Sequence, residues 1–260
     1  MYYIKTLIFQ QIARSKFLTI ILHKLWIFYQ YTRSSFLKFL FFKLRMNVKS
    51  LSDRGQDKWI IDIFELNRRK YKGFFLEIGG GDGFSNSNTF VLENNYKWRG
   101  IVVEPDPDQF KKLKINRPKT KVSNKLIYSN NKFVNFIING ELSRITKNNK
   151  SSKNKTIKLK TITLNKLLKN KKAPKNIDFF SLDVEGSEDK VLTKEALDKF
   201  TFMALTIERP SIKLHNLLIK RNYVFIKSKI YDYFYINKKH EFYKNIIKKK
   251  KNISFFYKKK

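Results

Sequence analysis

The stretch FFLEIGGGDG, residues 74–83, decides the fold. An apolar run that ends in glycines predicts a buried strand followed by a tight turn, because glycine permits positive φ and lets backbone N–H groups approach a ligand. The turn has glycines at alternating positions: Gly79, Gly81 and Gly83. Glu77 precedes them and Asp82 lies among them. In an open α/β sheet, such a strand-to-helix turn is the usual ligand crevice, although a tight turn without a ligand remains the alternative.

A second acidic residue strengthens the ligand interpretation. Glu104 follows the apolar run Ile101–Val103 and lies 21 residues beyond the turn, since 104 − 83 = 21. An acidic residue at about this distance, at the tip of the next strand, accepts hydrogen bonds from two ribose hydroxyls. The alternative is an ordinary surface carboxylate. We favour the ribose interpretation because acidic residues are scarce in this chain.

The spacing of the turn also discriminates between cofactors. Dinucleotide turns follow Gly-x-Gly-x-x-Gly, whereas this turn follows Glu-x-Gly-x-Gly-x-Gly. A carboxylate that leads into the turn suits a cofactor with an ammonium group, which Glu77 or Asp82 would hold directly or through water. S-adenosylmethionine has a ribose and an ammonium but no phosphate. No Gly-Lys-Ser/Thr sequence follows, which excludes a P-loop.

Outward from the turn, the sequence alternates between strand and helix patterns. We expect a helix over 53–71 with Ser52 or Asp53 as its cap, because apolar residues recur there at helical spacing. Further helices are predicted over 89–94, 110–116, 164–168 and 214–220, and strands over 73–78, 100–103, 121–128, 133–138, 156–162, 177–184 and 202–207, with a pair over 223–236. This order predicts an α/β fold with a mostly parallel sheet, helices on both faces and an antiparallel edge.

A second carboxylate group follows the strand predicted over 177–184. Residues two apart in an extended chain face the same side, so Asp183 and Glu185 are expected to point into the crevice. Asp183 is the first candidate for a catalytic base and Glu185 the second. The alternative is that Asp183 caps the next helix and Glu185 is structural. A divalent metal held by these two residues and Glu188 is a further alternative, but we predict no metal site.

Glu208 and Arg209 follow the strand predicted over 202–207 and are candidate acceptor-binding residues, or simply a surface pair. The three histidines form no metal-like pair, and no serine hydrolase motif is present. These residues therefore leave group transfer at the glycine turn as the favoured chemistry.

The chain resembles the FkbM family of S-adenosylmethionine-dependent methyltransferases over about residues 50–236. The resemblance rests on the motifs GQDK (55–58), GFFLEIG (73–79), DG (82–83) with SNT (87–89), WRG (98–100), EPDP (104–107), TITL (161–164) and IDFFSLDVEGSE (177–188). It implies a Rossmann-like class I methyltransferase fold with a seven-stranded sheet, cofactor roles for Glu77, Gly79, Gly81 and Glu104, and O-methylation, often of sugars. The family turn usually has alanine and asparagine where this chain has Gly80 and Gly81.

Composition narrows the remaining choices. The chain has 260 residues, no cysteine and 42% hydrophobic residues, which excludes disulfide scaffolds and thiolate chemistry and favours a packed core. Its formal charge of +35 attracts polyanions, although a bias towards residues with AT-rich codons explains the charge equally well. An RNA-directed methyltransferase is one rival, but the chain has no Asn-Pro-Pro-Tyr-like motif and nucleic acid is not an expected partner. A non-catalytic, membrane-associated binding protein with a relic fold is the other.

The ends of the chain are expected to lie outside the catalytic domain. Residues 1–50 predict a basic, aromatic helical arm, residues 51–240 the methyltransferase domain and residues 241–260 a basic tail. His23 and Lys24 interrupt the best apolar stretch of the arm, so neither a membrane span nor a signal peptide fits. The arm is then expected either to lie at an anionic membrane interface or to pack on the catalytic domain. We expect a cytoplasmic enzyme, peripheral at a membrane, that methylates a hydroxyl-bearing acceptor, favoured to be a saccharide and one that is anionic.

Overall fold

The computed structural model describes residues 49–146 and 155–241, together with residues 243, 244, 246 and 247. The predicted arm falls almost wholly outside these residues, as does most of the predicted tail, so the predicted domain boundaries stay predictions. No helix within the described ranges is both long and apolar enough to cross a membrane.

Eleven strands and seven helices are described. The strands are β1 (Phe74–Ile78), β2 (Arg99–Val103), β3 (Lys121–Ser123), β4 (Leu126–Ile127), β5 (Phe133–Ile137), β6 (Arg144–Thr146), β7 (Thr156–Ile162), β8 (Asn176–Leu182), β9 (Thr201–Glu208), β10 (Tyr223–Lys229) and β11 (Asp232–Asn237). The helices are α1 (Gln56–Ile63), α2 (Phe90–Tyr96), α3 (Pro107–Asn116), α4 (Leu164–Asn170), α5 (Glu188–Val191), α6 (Lys194–Lys199) and α7 (Ile212–Lys220).

The main sheet has seven strands in the order β10-β11-β9-β8-β1-β2-β3. Neighbours from β9 to β3 pair in parallel, and β11 pairs antiparallel with both β9 and β10. The predicted Rossmann-like α/β fold is therefore confirmed, with the antiparallel strand one position inside the edge. Because β1 lies between β8 and β2, its carboxyl end opens next to theirs.

Both faces of the main sheet are buried, as parallel sheets require. Along β1, Leu76 and Ile78 join one apolar cluster, whereas Phe75 joins the other with Trp59. This alternation places Glu77 on the same face as Phe75. The continuous apolar run of β1 thus reflects burial on two sides and brings one carboxylate inside the protein.

The first helix is shorter than predicted and is capped differently. It spans Gln56–Ile63, and its N-cap is Gly55 at φ +75°, so the prediction of a Ser52 or Asp53 cap is wrong. Fully buried Asp57 explains the difference. Its carboxylate accepts hydrogen bonds from the backbone N–H of Leu51 at 2.7 Å and the hydroxyl of Ser52 at 2.5 Å. These bonds fold the preceding segment back onto the helix instead of extending it.

A small second sheet of order β4-β7-β5-β6 is inserted between β3 and β8 in the chain. The single strand predicted over 121–128 is divided between the two sheets, because a turn at Ser123, whose hydroxyl accepts from the N–H of Lys125, separates β3 from β4. The strands predicted over 133–138 and 156–162 are β5 and β7, which pair antiparallel. The small sheet supplies apolar side chains, including Ile127 and Phe136, to the main cavity.

Candidate active site

The glycine turn lies at the carboxyl end of β1 and is shaped by two of its glycines. Gly79 has φ +86°, and a Cβ there would lie 1.7 Å from the carbonyl oxygen of Asp183. Gly79 therefore allows the end of β8 to approach the turn. Gly81 has φ +52°, nothing lies within 4 Å of the position of its Cβ, and its N–H donates to Oε2 of Glu104 at 2.9 Å. Gly81 thus offers open backbone beside an acidic residue.

Gly83 and Asp82 belong to the outer side of the same turn. A Cβ on Gly83 would lie 2.4 Å from Cδ1 of Leu113, so this glycine serves the packing of α3. The carboxylate of Asp82 accepts from the N–H of Phe84 at 2.9 Å and of Ser85 at 2.7 Å. Neither residue lines the cavity. For these two predicted cofactor residues, the structure indicates a role in the turn rather than contact with a ligand.

Glu104 occupies the position expected of a ribose-binding carboxylate. It is buried, lines the cavity and accepts one backbone N–H on each oxygen, from Gly81 on Oε2 and from Asp106 on Oε1 at 2.8 Å. Each carboxylate oxygen retains capacity for a further donor. Burial raises the pKa of Glu104 to about 7. The side chain is therefore positioned to accept two hydroxyl groups.

Glu77 also borders the cavity, but its carboxylate is used within the protein. It accepts from the N–H of Asn88 at 2.8 Å and from the hydroxyl of Thr89 at 2.5 Å. Buried Arg117 lies 3.9 Å away. Burial raises the pKa of Glu77, while the Arg117 guanidinium opposes this shift. Direct contact of Glu77 with a cofactor ammonium stays a prediction, and these contacts favour positioning of the loop 87–89.

One cavity of about 360 Å³ joins the glycine turn to the ends of β8, β9 and β11. Its cofactor half is formed by Gly79–Gly81 and Glu104, and its acceptor half by Asp183, Glu185, Glu208, Arg209, Tyr231 and Asp232. The small sheet borders the same space through Leu126, Ile127, Phe136 and Ile145. This volume is within the range of small-molecule sites.

The acceptor half brings together three carboxylates from two strand ends. Oxygens of Asp183, Glu185 and Glu208 lie within 4.8 Å of one another. The expected convergence of Asp183 and Glu185 has a different cause from the one predicted: β8 ends at Leu182, and Glu185 lies in a turn at φ +54°. A non-glycine residue in this region is uncommon and often marks a functional site.

Like charges dominate the electrostatics of the acceptor half. Burial, together with the neighbouring carboxylates of Glu208, Glu185 and Asp232 in that order of importance, raises the pKa of Asp183 to about 9. Burial and Glu208 also raise the pKa of Glu185, against the guanidinium of Arg209. These causes favour the protonated form of Asp183 at neutral pH, the form that does not accept a proton.

Arg209 is the cation that lies at this group. Its Nη1 is 2.9 Å from Oε1 of Glu208 and 3.6 Å from Oε2 of Glu185. Glu188 is directed elsewhere, because its Oε1 accepts from the N–H groups of Val184 at 3.2 Å and Gly186 at 3.1 Å. The alternative of a metal held by Asp183, Glu185 and Glu188 is thus not the arrangement observed. The Arg209 guanidinium pairs with two of the three clustered carboxylates, and the expectation of no metal site stays a prediction.

Several cavity residues were not predicted as site residues. Arg54 and Gln56 reach the cavity from the start of α1, and Tyr231 and Asp232 from the start of β11 and the turn before it. The motif GQDK at 55–58 was a signal for Gln56. No local pattern marked Tyr231, which is half-exposed and carries the Arg209 guanidinium 4.1 Å from its ring centroid.

The sign of the charge in the cavity is opposite to that of the chain. The chain has 56 basic and 21 acidic residues. Among the described residues, the cavity is lined by three basic residues (Arg54, Lys125 and Arg209) and seven acidic ones (Asp53, Glu77, Glu104, Asp183, Glu185, Glu208 and Asp232). A third of all acidic residues therefore surrounds this one space, which favours neutral or cationic ligands.

The cofactor half fits S-adenosylmethionine on the observations above. Glu104 has capacity for two ribose hydroxyls, the open backbone of Gly81 lies beside it, and the acidic lining suits a ligand that carries a sulfonium and an ammonium. Among the residues that the structure describes, none of the three cations that line the cavity belongs to the turn itself. These features agree with the cofactor that the sequence pattern predicts.

Comparison with solved structures gives low-identity matches to methyltransferases. TrmK of M. capricolum in complex with S-adenosylhomocysteine matches at 13% identity and TM-score 0.36, over 70% of this chain and 68% of that one. The METTL16 methyltransferase domain matches at 12% identity and TM-score 0.41, over 69% of this chain and 64% of that one. Precorrin-6y C5,15-methyltransferase of Geobacter metallireducens matches at 10% identity and TM-score 0.38, over 69% of this chain and 87% of that one. No curated protein matches the sequence.

Comparison with protein families identifies the chain directly. The model of the methyltransferase FkbM domain matches residues 77–223, which is more than half of the 260 residues. The matched range begins at Glu77 in β1 and includes the glycine turn, Glu104 and the three clustered carboxylates. The chain therefore belongs to the FkbM methyltransferase family and is an S-adenosylmethionine-dependent methyltransferase.

Proposed function

We propose that this enzyme methylates a hydroxyl oxygen of a saccharide acceptor. The observation that carries the proposal is the single cavity in which the glycine turn and Glu104 face the carboxylates of Asp183, Glu185 and Glu208. A hydroxyl must lose its proton as its oxygen takes a methyl group, and carboxylates at the end of a strand are suitable proton acceptors. The arrangement supports oxygen as the atom that is methylated.

When bound, S-adenosylmethionine supplies a methyl group on a positively charged sulfur. The residues of this chain bind and orient the two reactants. Glu104 is expected to accept the ribose hydroxyls, and Gly79 and Gly81 to let the cofactor approach the backbone. Glu208 and Arg209 are expected to orient the acceptor hydroxyl. Most of the rate would come from this alignment, with proton transfer contributing about 10²–10⁴-fold.

The lining of the acceptor half supports an uncharged, polyhydroxylated acceptor. Its carboxylates are hydrogen-bond acceptors for hydroxyl groups, whereas an anionic acceptor would be repelled by the excess of acidic residues. Tyr231 at its edge is half-exposed and presents an amphipathic ring. The earlier expectation of an anionic acceptor, based on the charge of the whole chain, is therefore not part of this proposal.

The RNA-directed rival rests on the charge of the surface and predicts a different labelled product. Labelled methyl transfer from S-adenosyl-L-[methyl-³H]methionine into a saccharide and lipid fraction and, in parallel, into structured RNA distinguishes the two. We expect label in the saccharides. Label in RNA alone would overturn the acceptor assignment.

The relic-fold rival is tested by binding. Calorimetric titration with S-adenosylhomocysteine is expected to show binding to the wild type and none to a Glu104→Ala, Gly81→Val double variant. Equal binding by both proteins would contradict the proposed cofactor site.

A further inference from the structure

The ends of β8 and β9 hold two carboxylic acids in different states of hydrogen bonding. On Glu208, Oε1 is bound by Nη1 of Arg209 at 2.9 Å. Its Oε2 is buried and has no hydrogen-bond partner among the described residues. Asp183 lies beside it, with a carboxylate oxygen less than 4.8 Å from one of Glu208. An unpaired, buried carboxylate oxygen is costly and is usually explained by function.

The surroundings of this pair show which acid carries the proton. Asp183 is faced by the carboxylates of Glu208, Glu185 and Asp232, whereas Glu208 has the guanidinium of Arg209. Two adjacent carboxylates in a buried site do not both ionise, and the one without a cation retains its proton. The third carboxylate, Glu185, faces Arg209 and Arg144, and both guanidinium groups lower its pKa. The proton of the pair therefore belongs on Asp183.

The pair also lies beside the cofactor turn. The carbonyl oxygen of Asp183 is the atom against which Gly79 packs, and both acids line the cavity that contains Gly79–Gly81. An acceptor that enters this cavity meets the side chain of Glu208, which lines the same space as the turn.

From this geometry we propose that Glu208 is the catalytic base and that Asp183, as a neutral carboxylic acid, positions it. The inference rests on the proposed function, because it requires a hydroxyl acceptor. In the step, a bond forms between the acceptor oxygen and the methyl carbon as the bond from that carbon to sulfur breaks. The sulfur keeps the electron pair, and the acceptor proton moves to the carboxylate of Glu208. The products are a methyl ether, neutral S-adenosylhomocysteine and protonated Glu208.

This assignment exchanges the roles that the sequence predicted. Asp183 was the expected base and Glu208 an acceptor-binding residue. In the structure, Asp183 is the acid surrounded by like charges and Glu208 is the acid that pairs with Arg209. Asp183 still acts on the reaction, but through Glu208.

The kinetic test uses Glu208→Gln, Asp183→Asn and Asp198→Asn in the full chain. Asp198 lies outside the cavity, paired with Arg221, and its substitution is a matched control for the change from carboxylate to amide. We expect Glu208→Gln to lose more than thirtyfold in kcat on the saccharide fraction. Asp183→Asn is expected to lose less, because the amide keeps a neutral hydrogen-bond donor beside Glu208. Loss of less than thirtyfold by Glu208→Gln, or at least equal loss by Asp183→Asn, would overturn the assignment.

Two further measurements separate chemistry from structure. Calorimetric titration with S-adenosylhomocysteine is expected to give dissociation constants within threefold of the wild type for all three variants. Infrared difference spectra at pH 8, wild type minus Asp183→Asn, are expected to show the carbonyl stretch of one protonated carboxylic acid. Without that band the inference fails. Since this readout needs no acceptor, it remains decisive even if the wild type transfers no methyl group to saccharides, a result that would count against the proposed function alone.

Discussion

The two halves of the cavity treat their carboxylates in opposite ways. In the cofactor half, every carboxylate oxygen of Glu77 and Glu104 accepts at least one backbone or hydroxyl donor, and Glu77 has a buried cation nearby. In the acceptor half, Asp183 lies among like charges and Oε2 of Glu208 has no partner among the described residues. The first arrangement favours a rigid, preformed site. The second stores unfavourable electrostatic free energy that an incoming ligand or proton can relieve.

The largest effect on stability is expected from removing Arg117, the buried cation beside Glu77 in the cofactor half. This residue is buried, lies 3.9 Å from Glu77 and forms an ion pair with Glu93. Arg117→Met would leave two carboxylates without their buried cation, at a cost of about 3–5 kcal/mol in the free energy of unfolding. Urea denaturation measures it. Arg221→Met, which breaks a surface pair with Asp198, is the control and should leave the unfolding midpoint unchanged. Equal effects would show that the buried network is not special.

The next effect concerns cofactor binding at Glu104. Because burial raises its pKa to about 7, the carboxylate is mostly protonated at pH 6 and mostly ionised at pH 8. If only the ionised form accepts both ribose hydroxyls, the affinity for S-adenosylhomocysteine should rise about tenfold between these two values. Calorimetry at both pH values measures this change. Glu104→Gln should bind about tenfold more weakly than the wild type at pH 8 and show no such pH dependence. A pH-dependent Glu104→Gln variant would assign the titration to another group.

A smaller effect is expected from relieving the acceptor half at Asp183. Its pKa is raised from 3.8 to about 9, so the folded state binds a proton that the unfolded state loses. The protonated acid is fully compatible with folding below about pH 4, and its contribution to stability is lost as pH rises towards 9. Asp183→Asn should therefore raise Tm by a few degrees at pH 8, and the gain should disappear near pH 4. Thermal denaturation at the two pH values tests this. Destabilisation at pH 8 would contradict the electrostatic account.

The smallest effect is expected at the turn that carries Tyr231. Ile230 has φ +57° in the two-residue connection between β10 and β11, a conformation that β-branched residues rarely adopt. Ile230→Gly should remove this strain and raise the free energy of unfolding by about 0.5–1 kcal/mol, after the entropy of the added glycine is subtracted. Lys97→Gly, at φ +60° and away from the cavity, is the control for the backbone effect. If only Ile230→Gly also changes the KM for the acceptor, the strained turn serves binding.

The sequence predicted the cofactor half better than the acceptor half, for a physical reason. The glycine turn and Glu104 follow directly from the ends of two strands, so local pattern places them. The grouping of Asp183 with Glu208 depends on which strands are neighbours, and the role of each acid depends on where Arg209 lies. Glu188 is closer to Asp183 in sequence than Glu208 is, but its carboxylate accepts a backbone N–H of its own loop instead. Tyr231 and Asp232 reach the cavity only because β11 is inserted beside β9.

Hydrogen bonds between residues close in sequence account for two details that the sequence pattern did not predict. Ser52 and Asp53 are suitable helix caps by residue type, but buried Asp57 recruits the preceding segment and gives the cap to Gly55. Asp82 has the residue type for binding an ammonium, but nearby backbone N–H groups compete for its carboxylate. In both cases the sequence contains a residue of a suitable type, but its hydrogen-bond partners decide its role.

The insertion between β3 and β8 has an evolutionary consequence. It leaves the fold at β4 and returns at β7, and these two strands are paired neighbours, with Leu126 opposite Thr161 and Ile127 opposite Ile162. Its two ends are therefore about 5 Å apart, the spacing of adjacent strands. A segment with adjoining ends can be exchanged as a cassette while the central scaffold is retained. Family members can in this way diversify what they modify without rebuilding how they hold the methyl donor.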